Sequence, residues 1–299
     1  MTVVFLLLLA CASHQTAESH PPSEVVHSIK TEILEVADLP VGGLEKTTQY
    51  SQLLVQDRGL QRSLYFVRDS GEVVLETTVD LSQPEQLVIP YTRAMLVAPL
   101  FIPNIKRSLL IGLGGGAMVH FVQAHWPEQM LDAVEIDPVI VALSQTHFGL
   151  EQSDQIKLYA EDGFVFIAES KNKYDVIYMD AFLKPSEDTD STGVPLRLKT
   201  LAFYEQIKAR LSPTGLVLFN INHHGRLEDD INVIHEAFGN VWLLRVPGRG
   251  NTIAIASSHQ HKLDSVLKEA HALDSAQRLP FEIGYWAERI EPWTPLELE

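Results

Sequence analysis

Three acidic residues and one glycine-rich turn carry the chemistry this chain could do. The turn is Leu110-Ile111-Gly112-Leu113-Gly114-Gly115-Gly116-Ala117, set between an apolar run and a helical pattern. Gly112, Gly114, Gly115 and Gly116 let the backbone turn sharply and approach a ligand closely, beside the partly positive end of the helix that follows. Glu135 lies about twenty residues further on, in Val134-Glu135-Ile136-Asp137, where a carboxylate can accept both hydroxyls of a ribose. Asp162 and Gly163 stand in Glu161-Asp162-Gly163-Phe164. Asp180 closes Tyr178-Met179-Asp180-Ala181-Phe182. A carboxylate there could orient an attacking amine and take its proton, although an ordinary aspartate pKa of about 4 makes it a modest base.

Alternatives attend each feature. The glycines also fit the dinucleotide fingerprint G-x-G-x-x-[GA], with Glu135 at the spacing that holds a ribose. An acid after the third strand favours an adenosyl-sulfonium ligand instead, because Asp162 could accept from the exocyclic amine of adenine, and dinucleotide folds have no routine use for that acid. Asp162 could equally be a helix N-cap, and Asp180 could serve a capping role.

These residues need a scaffold that brings strand ends together. Leu109-Leu110-Ile111, Ala133-Val134-Glu135-Ile136, Ile156-Lys157-Leu158-Tyr159, Val176-Ile177-Tyr178-Met179 and Leu216-Val217-Leu218-Phe219 are short apolar runs suited to a buried parallel sheet. Helical patterns fall between them at Val119 to Trp126, Pro138 to His147, Phe164 to Ser170 and Leu201 to Leu211. The alternation predicts an α/β fold, a Rossmann-like doubly wound and mostly parallel sheet. Ligands in such folds bind at the carboxyl ends of the strands, where Asp180 falls. Two runs flanking Pro247-Gly248-Arg249-Gly250-Asn251 predict a terminal antiparallel hairpin.

Residues 31–90 read as a small N-terminal antiparallel β domain, built on Leu53-Leu54-Val55, Ser63-Leu64-Tyr65-Phe66-Val67 and Glu72-Val73-Val74-Leu75-Glu76. Residues 91–260 form the cofactor-binding catalytic domain, opened by a helix through Tyr91, Met95, Leu96 and Leu100. Residues 261–299 are a C-terminal helix and tail that packs over the surface.

With 23 Lys plus Arg against 39 Asp plus Glu, a net charge of −16 disfavours nucleic acid as a partner and suits a small cationic molecule. Cys11 is the sole cysteine, so disulfide and multi-Cys zinc chemistry are excluded. The apolar run Val3 to Ala10 before it resembles a bacterial lipoprotein signal with Cys11 as a candidate lipid anchor, but no Lys or Arg precedes it. Residues 1–22 are therefore set aside as a signal-like or disordered head. Cytoplasmic residence is the expectation, because sulfonium donors are made inside cells, and an exported lipoprotein is the alternative.

Taken together, the glycine turn, Val134-Glu135-Ile136-Asp137, Asp162-Gly163-Phe164 and Tyr174-Asp175-Val176-Ile177-Tyr178-Met179-Asp180 resemble the spermidine synthase superfamily in order and nearly in spacing. So does Phe203 to Gly215, and the likeness runs from about Tyr50 to Ala256. The hairpin-closed sheet is similar to the class I methyltransferase fold. The resemblance implies that Glu135 holds the ribose, Asp162 the adenine, and that Asp180 is the proton acceptor. It further implies S-adenosylmethionine or its decarboxylated form as donor substrate, no metal, a small-molecule partner such as a polyamine, and a homodimer. Departures are as informative. Ala117 stands where the family has an Asp for the donor's amine, and Leu183 where it has a second Asp. Tyr91-Thr92-Arg93 replaces Tyr-His-Glu, and Tyr50-Ser51 replaces Tyr-Gln. Losing the anion at Ala117 leans towards S-adenosylmethionine and methyl transfer. Glu187-Asp188-Thr189-Asp190 could supply substitute carboxylates, or be a solvated loop. Three readings stay open: aminopropyl transfer, methyl transfer, and a cofactor-binding homologue without turnover.

Overall fold

The computed structural model describes residues 43–295, so the apolar head, Cys11 and the last four residues lie outside it. The first sheet is an antiparallel meander of β1 (Leu44–Thr47), β2 (Gln52–Arg58), β3 (Gln61–Val67) and β4 (Val73–Asp80). Alternation along β3 buries Leu64 and Phe66. With Leu53, Val55 and Val79 these pack on Ala117, Val139, Ile140, Leu143 and Phe148 of the larger layer. Polar ties fix the same interface: the Thr48 hydroxyl donates to Asp137 at 2.6 Å, and Arg62 donates to the His147 carbonyl.

The second sheet has eight strands in the order β12-β10-β11-β9-β8-β5-β6-β7. Its parallel half comprises β5 (Arg107–Ile111), β6 (Met130–Glu135), β7 (Ile156–Ala160), β8 (Tyr174–Met179) and β9 (Leu211–Asn222). The expected hairpin is β10 (Asn240–Arg245) with β11 (Asn251–Ser257), and β11 adds antiparallel to β9. Before this sheet comes α1 (Pro90–Met95). The helices α2 (Ala117–His125), α3 (Pro138–Thr146), α4 (Gly163–Glu169), α5 (Leu201–Arg210) and α6 (Leu227–Phe238) then cover both faces, as the two apolar clusters on either side of the strands require.

Two elements differ from expectation. Helix α6 is additional; its apolar positions Ile231, Ile234 and Phe238 are buried, but its first turn Glu228-Asp229-Asp230 masks the period. The C-terminal segment is more than a surface wrap. After α7 (Leu263–Ser275) and α8 (Ile283–Ala287), Trp286 enters the core, and β12 (Ile290–Pro292) adds to the edge of β10. Among the described residues no helix is long and apolar enough to cross a membrane.

Candidate active site

The strand order reverses between β5 and β8, because the chain leaves β5 towards β6 on one side and comes back to β8 on the other. Such a switch point opens a crevice at the carboxyl ends of both strands. Gly112 and Asp180 are the first residues beyond those ends. The Asp180 amide donates to the Ile111 carbonyl at 2.8 Å, and the Gly112 amide to Val134 at 2.9 Å. Gly112 has φ +96°, and a Cβ placed there would fall on the Asp180 carbonyl, so this contact tolerates glycine alone. Gly116 then precedes α2, and Thr77 from β4 accepts the Gly115 amide at 3.0 Å.

Glu135 is buried at the end of β6, where one carboxylate oxygen accepts from the Leu113 amide at 3.0 Å and the other from the Asp137 amide at 3.1 Å. Burial raises its pKa and the amides oppose that rise. Asp162 does cap α4, accepting from the Phe164 amide at 2.9 Å, and its other oxygen pairs with Arg197. That guanidinium lies over the Phe164 ring.

Asp180 is followed by an irregular loop rather than a helix, so its expected alternative as a cap does not hold. Its carboxylate instead accepts from the Asn220 side-chain amide at 2.7 Å and from the Tyr91 hydroxyl at 3.1 Å. Burial pushes its pKa up to about 6, against the two hydrogen bonds, which favour the ionised form. The acid is therefore a better base than an ordinary aspartate.

Sequence reasoning left Tyr91 and Asn220 without a site role and missed Glu76. Leu64 pairs with Thr77 and Tyr65 with Leu75, so Glu76 is the extra residue of a β-bulge in β4. A bulge re-aims a side chain, and Glu76 lines the same cavity as Asp180 and Glu135. Burial and the neighbouring Asp180 push its pKa up to about 8. The one signal in the sequence is an acid placed inside Val73-Val74-Leu75-Glu76-Thr77-Thr78-Val79.

The cavity is an open cleft at the carboxyl ends of β5, β6 and β8, walled on its other side by β4. Glu76, Glu135, Asp162 and Asp180 line it against a single cation, Arg197, among the described residues; Ala117, Gly163 and Leu183 line it without charge. The acidic loop does not contribute. Glu187 and Asp188 face solvent, while Asp190 accepts from Thr192 and Val194 in its own turn and pairs with Lys199. Lys199 also pairs with Asp230.

A model for the spermine/spermidine synthase domain matches residues 89–246, from the start of α1 to just beyond β10. The chain belongs to this family. The polyamine aminopropyltransferase of Vibrio vulnificus is 29% identical over 245 residues, covering 80% of this chain and 79% of that protein. The human eEF1A lysine and N-terminal methyltransferase is 31% identical over 62% of this chain, which spans only 28% of that protein. Among solved structures, human methyltransferase-like protein 13 in complex with SAH superposes with a TM-score of 0.59 at 25% identity, over 70% of this chain and 97% of that one. This family member is thus similar both to aminopropyl and to methyl transferring enzymes, and it is a transferase. Glu76 and the bulge lie upstream of the matched segment.

Proposed function

We propose that this protein binds an adenosyl-sulfonium donor in the cleft at the β5/β8 switch point and transfers an alkyl group from it to an amine-type acceptor. The observation that carries this reading is the Asp180 carboxylate, held by Asn220 and Tyr91 in one cavity with Glu135 and the glycine turn. Glu135 accepts the ribose hydroxyls. Asp162 accepts from the adenine amine as well as from the Arg197 guanidinium, while Gly112, Gly114 and Gly163 let the backbone meet the donor, and Gly115 and Gly116 let the turn pack closely on Thr77, Phe148 and Leu150. The acceptor nitrogen attacks the carbon attached to sulfur in line with the breaking bond. Its electron pair forms the C–N bond, the C–S pair stays on sulfur as a thioether, and the surplus proton passes to Asp180. With a pKa of about 6, Asp180 is ionised at neutral pH and ready to take that proton. Holding the two reactants in line supplies most of the rate.

A second form of the same reading is methyl transfer from S-adenosylmethionine. It is favoured by the uncharged Ala117 and Leu183 in the cavity wall, by the methyltransferase relative and by the neighbour solved with SAH. Incubation with each donor and a panel of diamines and lysine-bearing peptides, with products weighed by mass spectrometry, tests both. A mass gain of an aminopropyl or a methyl group identifies the transfer. Tight donor binding without any product would leave a cofactor-binding homologue.

A further inference from the structure

We infer that Glu76 is the counter-ion for the donor's primary ammonium, a task the glycine turn cannot perform because Ala117 brings no anion there. The inference rests on the adenosyl-sulfonium reading above and adds a residue to it from the other sheet. Three observations support it. The register break at Leu64 and Tyr65 leaves Glu76 as the unpaired residue of β4, which turns its side chain into the cavity instead of leaving it on the outer face. Its neighbour Thr77 binds the Gly115 amide, so this stretch of β4 lies directly on the glycine turn, along which the aliphatic arm of the donor would run. The bulged backbone is itself anchored, since the Tyr91 hydroxyl lies 3.4 Å from the Glu76 carbonyl and 3.1 Å from Asp180.

Charge agrees with this placement. Among the described residues the Glu76 carboxyl has no hydrogen-bond partner, and the charged groups facing it are Asp180, Glu135 and Arg68, the last already paired with Glu72. Two acids and burial keep Glu76 largely protonated at neutral pH while the cleft is empty. An entering ammonium reverses that balance, so the carboxyl ionises and a proton leaves. Both forms of the donor carry this ammonium, whereas 5′-methylthioadenosine has the same nucleoside and sulfur without it.

The test is calorimetry on the full chain with decarboxylated S-adenosylmethionine, S-adenosylhomocysteine and 5′-methylthioadenosine, comparing wild type with the isosteric Glu76→Gln. The variant is expected to lose at least about tenfold affinity for the two ammonium-bearing ligands and less than about twofold for 5′-methylthioadenosine. Repeating the titration at pH 7 in buffers of different ionisation enthalpy should show proton release in wild type that disappears in Glu76→Gln. Equal losses on all three ligands, no loss on any, or proton release that persists in the variant would overturn the assignment. Thermal melting of Glu76→Gln and of Glu76→Leu separates a folding defect from a binding defect, and selective loss in either folded variant suffices. Wild type that binds none of the three ligands would instead overturn the donor reading itself, a result distinct from unselective binding in the variant.

Discussion

The side-chain amide of Asn220 points its nitrogen at Asp180 because Asn251 occupies its oxygen. Asn251 donates to the Asn220 side-chain oxygen at 2.9 Å and is itself held by Asn222 at 2.8 Å, so the Asn220 amide cannot flip without losing its contacts to both Asn251 and Asp180. Strands β9 and β11 thereby hold the acid at the end of β8 in one orientation and favour its charged form. Replacing Asn220 with Ala should raise the Asp180 pKa further. A hydrogen bond to a charged group contributes about 1.5–3 kcal/mol, which corresponds to roughly one to two pH units. The acid limb of the kcat/KM profile, expected near 6 in wild type, should move up by that amount. An unmoved limb would mean that Asp180 is not the titrating base.

Asp180→Asn keeps size and removes the ability to take a proton. Turnover should fall by about 10² to 10⁴, the range for losing an acid–base group, with donor affinity nearly unchanged. Single-turnover kinetics beside donor titration checks the split, and full turnover in the variant would exclude Asp180 as proton acceptor.

Glu135→Gln should weaken donor binding by about 10- to 100-fold, the equivalent of about 1.5–3 kcal/mol for a charged acceptor at buried hydroxyls. The Gln retains an oxygen for one backbone amide only, so melting must be measured beside calorimetry. Unchanged affinity in the folded variant would remove Glu135 from the site.

Stability should depend on pH with a sign opposite to the usual acid denaturation. Asp180 and Glu76 have folded pKa values of about 6 and about 8, above their ordinary 3.8 and 4.5. Between the ordinary and the raised value the folded chain holds more protons than the unfolded one, so their contribution is present at low pH and is lost as pH rises through 6 and then 8. Melting of the ligand-free protein should therefore fall between about pH 4 and 8 more steeply in wild type than in Asp180→Asn or Glu76→Gln. At pH 8.5 each variant should melt at least about 2 °C higher. A variant less stable than wild type there would refute the buried-charge account.

Much of the site was legible because strand-turn-helix periodicity is local. Glu135 and Asp180 stand at the ends of apolar runs and Asp162 two residues beyond a strand pattern, and the fold brings all three to one cavity. Glu76, Tyr91 and Asn220 were not legible as site residues, since their roles arise from contacts across 15 to 104 residues of chain, between Glu76, Tyr91 and Asp180 and between Asn220 and Asp180. The bulge depends on a register that exists only once β3 and β4 pair. Burial, which carries the Asp180 pKa from about 4 to about 6, is likewise a property of the packed molecule. At three residues, β12 is too short to show a period.

The contact between Gly112 and Asp180 runs backbone to backbone, whereas the first sheet meets the cleft through side chains such as Thr77 and Glu76. One half of the cleft is therefore constrained by the main chain itself and admits almost no variation. The other half can exchange side chains without disturbing a single ladder hydrogen bond of the large sheet. Side-chain changes in that one small meander can therefore alter what the cleft accepts, which makes it the place to redesign ligand choice while leaving Gly112 and Asp180 alone.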